Sequence, residues 1–182
     1  RRAFFNTVVL TLLGTFVSVS LNALTGYAMS KRKLPGREWI IKLLYISSYF
    51  GGGLIPLFLI LRSMRLLDTY WALILPGAIS MGTVLLVKNY FLSTFPESLE
   101  ESAKLDGAGE LCIFIKIVIP MSLPIIATIT LFAAVSYWNT YMSALFFIRD
   151  RQKHPIMVLL YNVLAQATGY GEQNLGLMLE MK

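Results

Sequence analysis

PESLEESAKLDGAGELCIFIKIVIP, residues 96 to 120, is the one long segment of this 182-residue sequence that is rich in acidic side chains. Up to Glu110 it sets Glu97, Glu100, Glu101, Asp106 and Glu110 against Lys104 alone, while the whole chain carries a net charge of +6. Pro96 suits a first helical turn, Ser93 or Thr94 lies near enough to cap it, and Glu97 and Glu100 sit where the helix dipole favours anions. Asp106, Gly107, Ala108 and Gly109 supply a turn, because Gly107 takes a positive φ without a Cβ clash. Glu110 to Ile119 then reads as a second, apolar helix running into Pro120. The spacing predicts helix, glycine turn and helix, with Ser102 and Ala103 small enough for another surface to approach closely. An ordinary solvated loop would have the same pattern.

The surroundings of this stretch set the class of the chain. Hydrophobic residues make up 56% of it, charged residues 14% and aromatics 13%, with a mean hydropathy of +0.65. That leaves too little polar surface to clothe a soluble globule of this size and predicts an integral membrane protein. The excess of 16 Lys and Arg over 10 Asp and Glu is placed at the ends of apolar runs rather than along a groove interleaved with aromatics, so membrane interfaces explain it and nucleic acid does not. One cysteine, Cys112, excludes an internal disulfide. One histidine, His154, placed in a charged outer loop and expected to be exposed, leaves no cluster for a metal. The sequence neither begins with Met nor shows a signal-peptide pattern, and it is expected to be a fragment of a longer polypeptide.

Four apolar runs are predicted as spans: 4–28, 39–61, 71–92 and 117–138, each near the roughly 20 residues a helix needs to cross hydrocarbon. In the first, Thr7, Thr11, Gly14 or Thr15, Ser18, Asn22, and Thr25 or Gly26 recur at three- and four-residue steps and form one stripe. The stripe should face protein or water, either as close helix packing or as the wall of a solute pathway. Lys31, Arg32 and Lys33 end this span, a local positive-inside signal that puts the following loop, and with it residues 96–120, on the cytoplasmic side. The second span is interrupted at Ser47 to Gly53, with Pro56 beyond, and should be broken or kinked. A phosphate-cradling glycine loop is the alternative, but the Lys and Ser or Thr that follow in such a loop are missing. The third carries Pro76 and Gly77 early and the small pair Ala78 and Gly82, a helix-packing signal. The fourth has Pro120 and Pro124 in its opening turns, where they are least harmful or bend the helix near the acidic segment. Asn22, Ser48, Tyr49, Tyr137 and Asn139 are candidates for a translocation path, the last two within an aromatic and polar cluster that also fits an interfacial belt. Residues 156–160 form a short apolar run that can begin an amphipathic helix, followed by a polar stretch.

Glu101, Ser102 and Ala103, three residues, Gly107, nine residues, Ile117, one residue, and Ile119-Pro120 resemble the cytoplasmic signature of binding-protein-dependent ABC importer permeases. That signature runs Glu-Ala-Ala, three residues, Gly, nine residues, Ile, one residue, Leu-Pro. Ser102 and Ile119 depart from it by small changes in volume, and the run Asp106-Gly107-Ala108 strengthens the match. Asn6-Thr7, Ile55-Pro56, Leu66 to Thr69 with Trp71, and Trp138-Asn139 are similar to the carbohydrate-uptake branch, in particular to the second permease of maltose-type importers. The resemblance implies an all-α polytopic helix bundle forming one transmembrane domain over 1–182, with the second to fifth of the family's six spans present. It implies that 96–120 is a coupling loop docking into a separate ATPase subunit through Glu101, Ser102, Ala103 and Gly107, with Asp106, Ala108 and Pro120 in the same signature. The implied partners are a cytoplasmic ABC ATPase dimer, a second permease subunit, an extracytoplasmic solute-binding protein and membrane lipid, in the bacterial cytoplasmic membrane. The implied role is non-catalytic and needs no cofactor of its own. The alternative reading is a secondary transporter or channel segment, for which ionisable residues inside the spans are the usual mark; here only Lys42 and Lys88 qualify, both near span ends.

Overall fold

The computed structural model describes residues 1–31 and 34–167, without the side chains of Glu97 and Ala167; Arg32, Lys33 and the polar stretch 168–182 lie outside it. Among the described residues the regular structure is all helical, with no strand. α1 (Arg2–Ser30) is one uninterrupted helix of 29 residues, about 43 Å at 1.5 Å per residue, more than enough to cross about 30 Å of hydrocarbon. The predicted stripe is its inward face: Thr7, Gly14, Thr15, Ser18, Asn22 and Gly26 are all buried. Phe5, Leu12 and Phe16 point outward and are exposed.

The other three apolar runs are each bent. α2 (Arg37–Tyr49) and α3 (Leu54–Ser63) meet at 118° across residues 50–53, the break that three glycines predict, with Gly53 at φ +80°. α4 (Trp71–Ile74) tightens into a 3₁₀ turn (Leu75–Gly77) and is separated from α5 (Met81–Thr94) by a 53° bend. The sequence pattern had Pro76 and Gly77 opening a continuous span; the proline instead tightens the end of a short helix. α6 (Glu97–Leu105) is followed by α7 (Glu110–Ile113), a π turn (Phe114–Val118) and α8 (Ile119–Met121). An 85° bend then leads into α9 (Leu123–Trp138). Pro120 has no N–H for the Lys116 carbonyl, and just before it the ladder shifts register, with Ile119 donating to Phe114. α10 (Met142–Phe147) and α11 (Ile156–Ala167) complete the described chain. Among the described residues, α1 alone is by length and composition able to cross a membrane, or up to four spans result if each bent pair counts as one.

α1 is the axis on which α5 and α9 both pack. Two apolar cores lie along it. One, toward its start, gathers Leu10, Leu61, Leu73, Ile74, Tyr137, Phe147 and Val158. The other, toward its end, gathers Ala23, Val87, Phe91, Ala103, Ile113, Phe114, Ile125 and Ile129. Close approach is made by Gly26, where a Cβ would sit 2.6 Å from Val87 Cγ1, and by Gly14, where it would sit 2.8 Å from the Tyr137 ring. Gly82, by contrast, is exposed with only Ser80 Oγ at 3.9 Å, so the Ala78–Gly82 pair is not the packing site its spacing suggests.

The far end of the bundle is pinned by polar contacts. The Asp68 carboxylate accepts from the Arg149 amide and, at 3.2 Å, from that of Asp150, while Lys153 Nζ donates to the Asp68 carbonyl at 2.9 Å. Asn6 Nδ2 donates to Gln152 O at 2.6 Å, and the Ile156 amide donates to Thr7 Oγ1 at 2.8 Å. His154, expected to be exposed, is half-buried with Nε2 3.0 Å from Ile148 O. The loop folds back on α1 and shields the ring.

Candidate functional site

The segment 96–120 lies at the end of α1 marked by Lys31. α6 begins after Pro96 without the Ser or Thr side-chain cap its sequence offers; Ser93 Oγ donates back to Tyr90 O instead. Its C-terminus is a complete left-handed stop. Gly107 adopts φ +81°, its amide donates to Lys104 O at 3.0 Å, and the Ala108 amide donates to Ala103 O at 3.0 Å. These are the paired bonds of a Schellman motif, and Ala103 and Ala108 both pack on the same core beneath it. A Cβ at Gly107 would meet nothing within 4 Å, so glycine is required there by backbone conformation rather than by space.

This geometry sorts the signature residues into two faces. Ala103 is only 8% exposed and its small side chain is used against the chain's own core. Glu101, Ser102, Asp106 and Gly107 are exposed on the outer side, with Pro120 also exposed and Ala108 partly covered. Ser102 Oγ bonds back to Ser98 O at 2.9 Å. Leu105, which the sequence reading passed over, is 89% exposed at the tip. The signal was available, because Leu105 lies two residues, about 200° on a helix, from the inward Ala103.

The acidic cluster is also divided. Glu100 pairs with Lys31 and, at 2.6 Å, with Lys104; Lys104 also meets Glu110 at 2.6 Å, and Lys31 lies 3.6 Å from Glu110. The Lys31 ammonium stands 4.3 Å over the Tyr27 ring, and the Tyr27 hydroxyl donates to Glu110 at 3.2 Å. Partial burial pushes the Glu100 carboxyl up, but hydrogen bonds from Lys104 and Lys31 outweigh it and hold the group below the usual carboxylate range. Lys31 shows the mirror image: burial opposes its charge, and the bond to Glu100 raises it above the usual lysine value. Lys104 is raised further, chiefly by its bonds to Glu100 and Glu110. Glu101 and Asp106 stand outside this network as exposed carboxylates.

The five path candidates are not brought together. Asn22, 1% exposed, donates to Ser18 O at 2.7 Å and to Ala78 O at 2.9 Å, and its Oδ1 accepts from the Ser80 amide at 3.1 Å. Its amide thus replaces backbone partners lost where α4 and α5 part. Tyr137, 5% exposed, donates to Ile74 O at 3.1 Å. Ser48 and Tyr49 are exposed beside the α2–α3 break, and Asn139 is exposed with its amide on Val135 O at 2.8 Å. Among the described residues no group of three or more His, Cys, Asp and Glu side chains could hold a metal ion.

Comparison with known proteins bears on the whole described bundle. The chain is 50% identical over 162 residues to the polygalacturonan/rhamnogalacturonan transport system permease protein YtcP of Bacillus subtilis, covering 89% of this chain and 56% of that one. It is 30% identical over 162 residues to the melibiose/raffinose/stachyose import permease protein MelC of the same organism, covering 87% and 59%. The structure matches a chain from a bacterial ABC transporter involved in the import of the acidic polysaccharide alginate with a TM-score of 0.83 at 35% identity, covering 87% of this chain and 56% of that one. The chain thus spans little more than half the length of these relatives. The family model described as binding-protein-dependent transport system inner membrane component matches residues 2–171, and the chain belongs to that family.

Proposed function

We propose that this chain is part of a permease subunit of an ATP-driven importer, with 1–182 acting as one multi-pass domain in the bacterial cytoplasmic membrane. Segment 96–120 is its cytoplasmic coupling loop, docking on an ATPase dimer. A second permease completes the pathway, and an extracytoplasmic binding protein delivers the solute. Hydrolysis belongs to the ATPase partners, and the chain contributes no catalytic group. The observation that carries this reading is the outer face of the α6 turn: Glu101, Ser102, Leu105, Asp106 and Gly107 stand exposed on a loop whose inner face is anchored to the core. A closing ATPase pair would displace such a loop and shift the permease pair between two discrete arrangements.

Gly107→Val tests this. Valine at φ +81° costs on the order of 1–3 kcal/mol and dismantles the turn without touching the spans. The expected result in the full-length reconstituted transporter is normal membrane insertion with loss of solute-stimulated ATP hydrolysis; unchanged transport would contradict the docking role.

The cargo is read as a carbohydrate, in line with the relatives' names. The end opposite the loop exposes Arg1, Arg2, Arg149 and Arg151, with Arg2 3.4 Å from Gln152. That excess of positive charge suits an anionic saccharide. Uptake of uronate oligosaccharides in preference to neutral ones of equal length supports this choice, and the reverse preference refutes it.

A further inference from the structure

Among the described residues α6 has no extended packing interface with another helix. A cavity lined by Tyr27, Phe91, Phe95, Leu99 and Ile117 lies between it and the span ends, with Lys31 and Glu100 in the same lining. Apolar contact from α6 to the bundle is therefore concentrated at Ala103, and the polar link is the Lys31–Glu100 pair. Lys31 is the residue that ends α1, with its amide bonded to Ala28 O and its backbone already extended. Its side chain is 20% exposed and that of Glu100 25%, which shields the pair from solvent and salt more than a surface ion pair. Lys104 has a different place: it joins Glu100 to Glu110 and so ties α6 to α7 within the loop. Tyr27 of α1 holds the second half of the loop, through its hydroxyl on Glu110 and its ring 4.9 Å from that of Phe114; Lys31 alone among the described cations joins α6 to α1, the helix on which both α5 and α9 pack.

We infer that Lys31 is the positioning residue through which displacement of α6, the first half of the 96–120 loop, is passed to α1, with the Lys31–Glu100 pair acting as a tether across the cavity. The inference rests on the coupling role proposed above. A pull on α6 that would otherwise close or open the cavity is delivered to the end of α1 and from there to both helices packed on it. Because the cluster holds two cations and two anions, loss of Lys31 also leaves Glu100 and Glu110 facing each other with only Lys104 between them.

The test uses the full-length transporter with both permeases, ATPase and binding protein in liposomes of Escherichia coli polar lipid, comparing Lys31→Met, Glu100→Gln and Lys31→Arg with the parent. Solute taken up per ATP hydrolysed is expected to fall about five-fold or more in Lys31→Met and Glu100→Gln, while ATPase retention and basal hydrolysis stay at parental levels. Lys31→Arg keeps the pair and most of the coupling. In a Cys112→Ser background, Lys31→Cys with Glu100→Cys, bridged by a short bifunctional thiol reagent, should recover coupling that the unbridged double variant lacks, a rescue that shows the link itself, without its charges, to be sufficient; melting temperatures equal in the unbridged variant and the parent separate this from a loss of folding. Coupling within about two-fold of the parent in both Lys31→Met and Glu100→Gln overturns the tether. Gly107→Val separates the two readings: if it uncouples transport while the tether variants do not, the tether alone fails, and if it too is silent, the coupling role fails with it.

Discussion

Replacing Gly26 by alanine should be damaging, and the structure gives the size. A Cβ at this position would lie 2.6 Å from Val87 Cγ1, 2.9 Å from Val87 Cβ and 3.3 Å from the Lys88 backbone nitrogen. Carbon pairs rest at about 3.5–4.0 Å, so α1 and α5 must separate by something near 1 Å along their contact. Overpacking of this kind costs about 1–3 kcal/mol, against which alanine gains up to about 1 kcal/mol of helix propensity over glycine. Gly82→Ala supplies the control, since its new methyl group meets only Ser80 Oγ at 3.9 Å and the propensity gain is of the same kind. The difference between the two variants isolates the steric cost, about 1–3 kcal/mol, or roughly 2–12 °C in melting temperature for a chain of this length. The assay is thermal unfolding of the full-length protein in detergent, read by loss of monodisperse material. Val87→Ala combined with Gly26→Ala should recover part of the loss, because it removes Cγ1 but leaves Cβ. Equal melting temperatures for Gly26→Ala and Gly82→Ala would refute the close α1–α5 contact.

Asn22→Leu removes two bonds to the break between α4 and α5, those with Ala78 O and the Ser80 amide; at about 0.6–2 kcal/mol each within a membrane bundle, the loss should be about 1–4 kcal/mol. It should appear as a lower melting temperature and faster proteolysis near residues 78–80, and parental values for both would count against the clamp. The Asp68 carboxyl is held below the usual range chiefly by the Arg149 amide, with help from that of Asp150 and from Lys153. A depressed folded-state value means its contribution is complete above the unfolded value near about 4 and is lost as pH falls through the lower folded value. Hydrogen exchange at the Arg149 and Asp150 amides, corrected for intrinsic rates, should stay slow down to about pH 4 and quicken below it. Asp68→Ala should quicken it at neutral pH, and unaltered exchange in that variant would show that the carboxylate does not hold the loop.

What the sequence made legible, and what it hid, follows from the range of the interactions involved. The polar stripe of α1 is set by its own 3.6-residue period, so Thr7, Ser18 and Asn22 could be placed on one face. The Gly51–Gly53 break and the turn at Gly107 were equally local, because glycine with a neighbouring proline or a helix end limits the backbone by itself. The break at 78–80 was hidden. Its unwound backbone is satisfied by Asn22, more than fifty residues away, and nothing near Ser80 announces that partner. The same holds for Lys31 and Glu100, which lie 69 residues apart: their charges were visible, but the choice of which carboxylates are neutralised inside and which remain free was made by tertiary packing. Small residues misled for a related reason, since Gly82 and Gly26 look alike in sequence and only the position of α5 decides which of them is crowded. Tyr137 was open between an interfacial aromatic and a path residue; its ring lies in the core, placed against Gly14 by the crossing of α1 and α9.

Contact between the 96–120 loop and an ATPase subunit is the claim on which the account turns, and site-specific photocrosslinking in the assembled full-length transporter measures it most directly. A benzophenone amino acid at Leu105, 89% exposed at the tip of α6, should yield an adduct with the ATPase, and the same probe at Ser102 should do so as well. Placed at Leu131, exposed on the outer face of α9, it should yield none. An active transporter that gives no ATPase adduct from Leu105 or Ser102 would contradict the account.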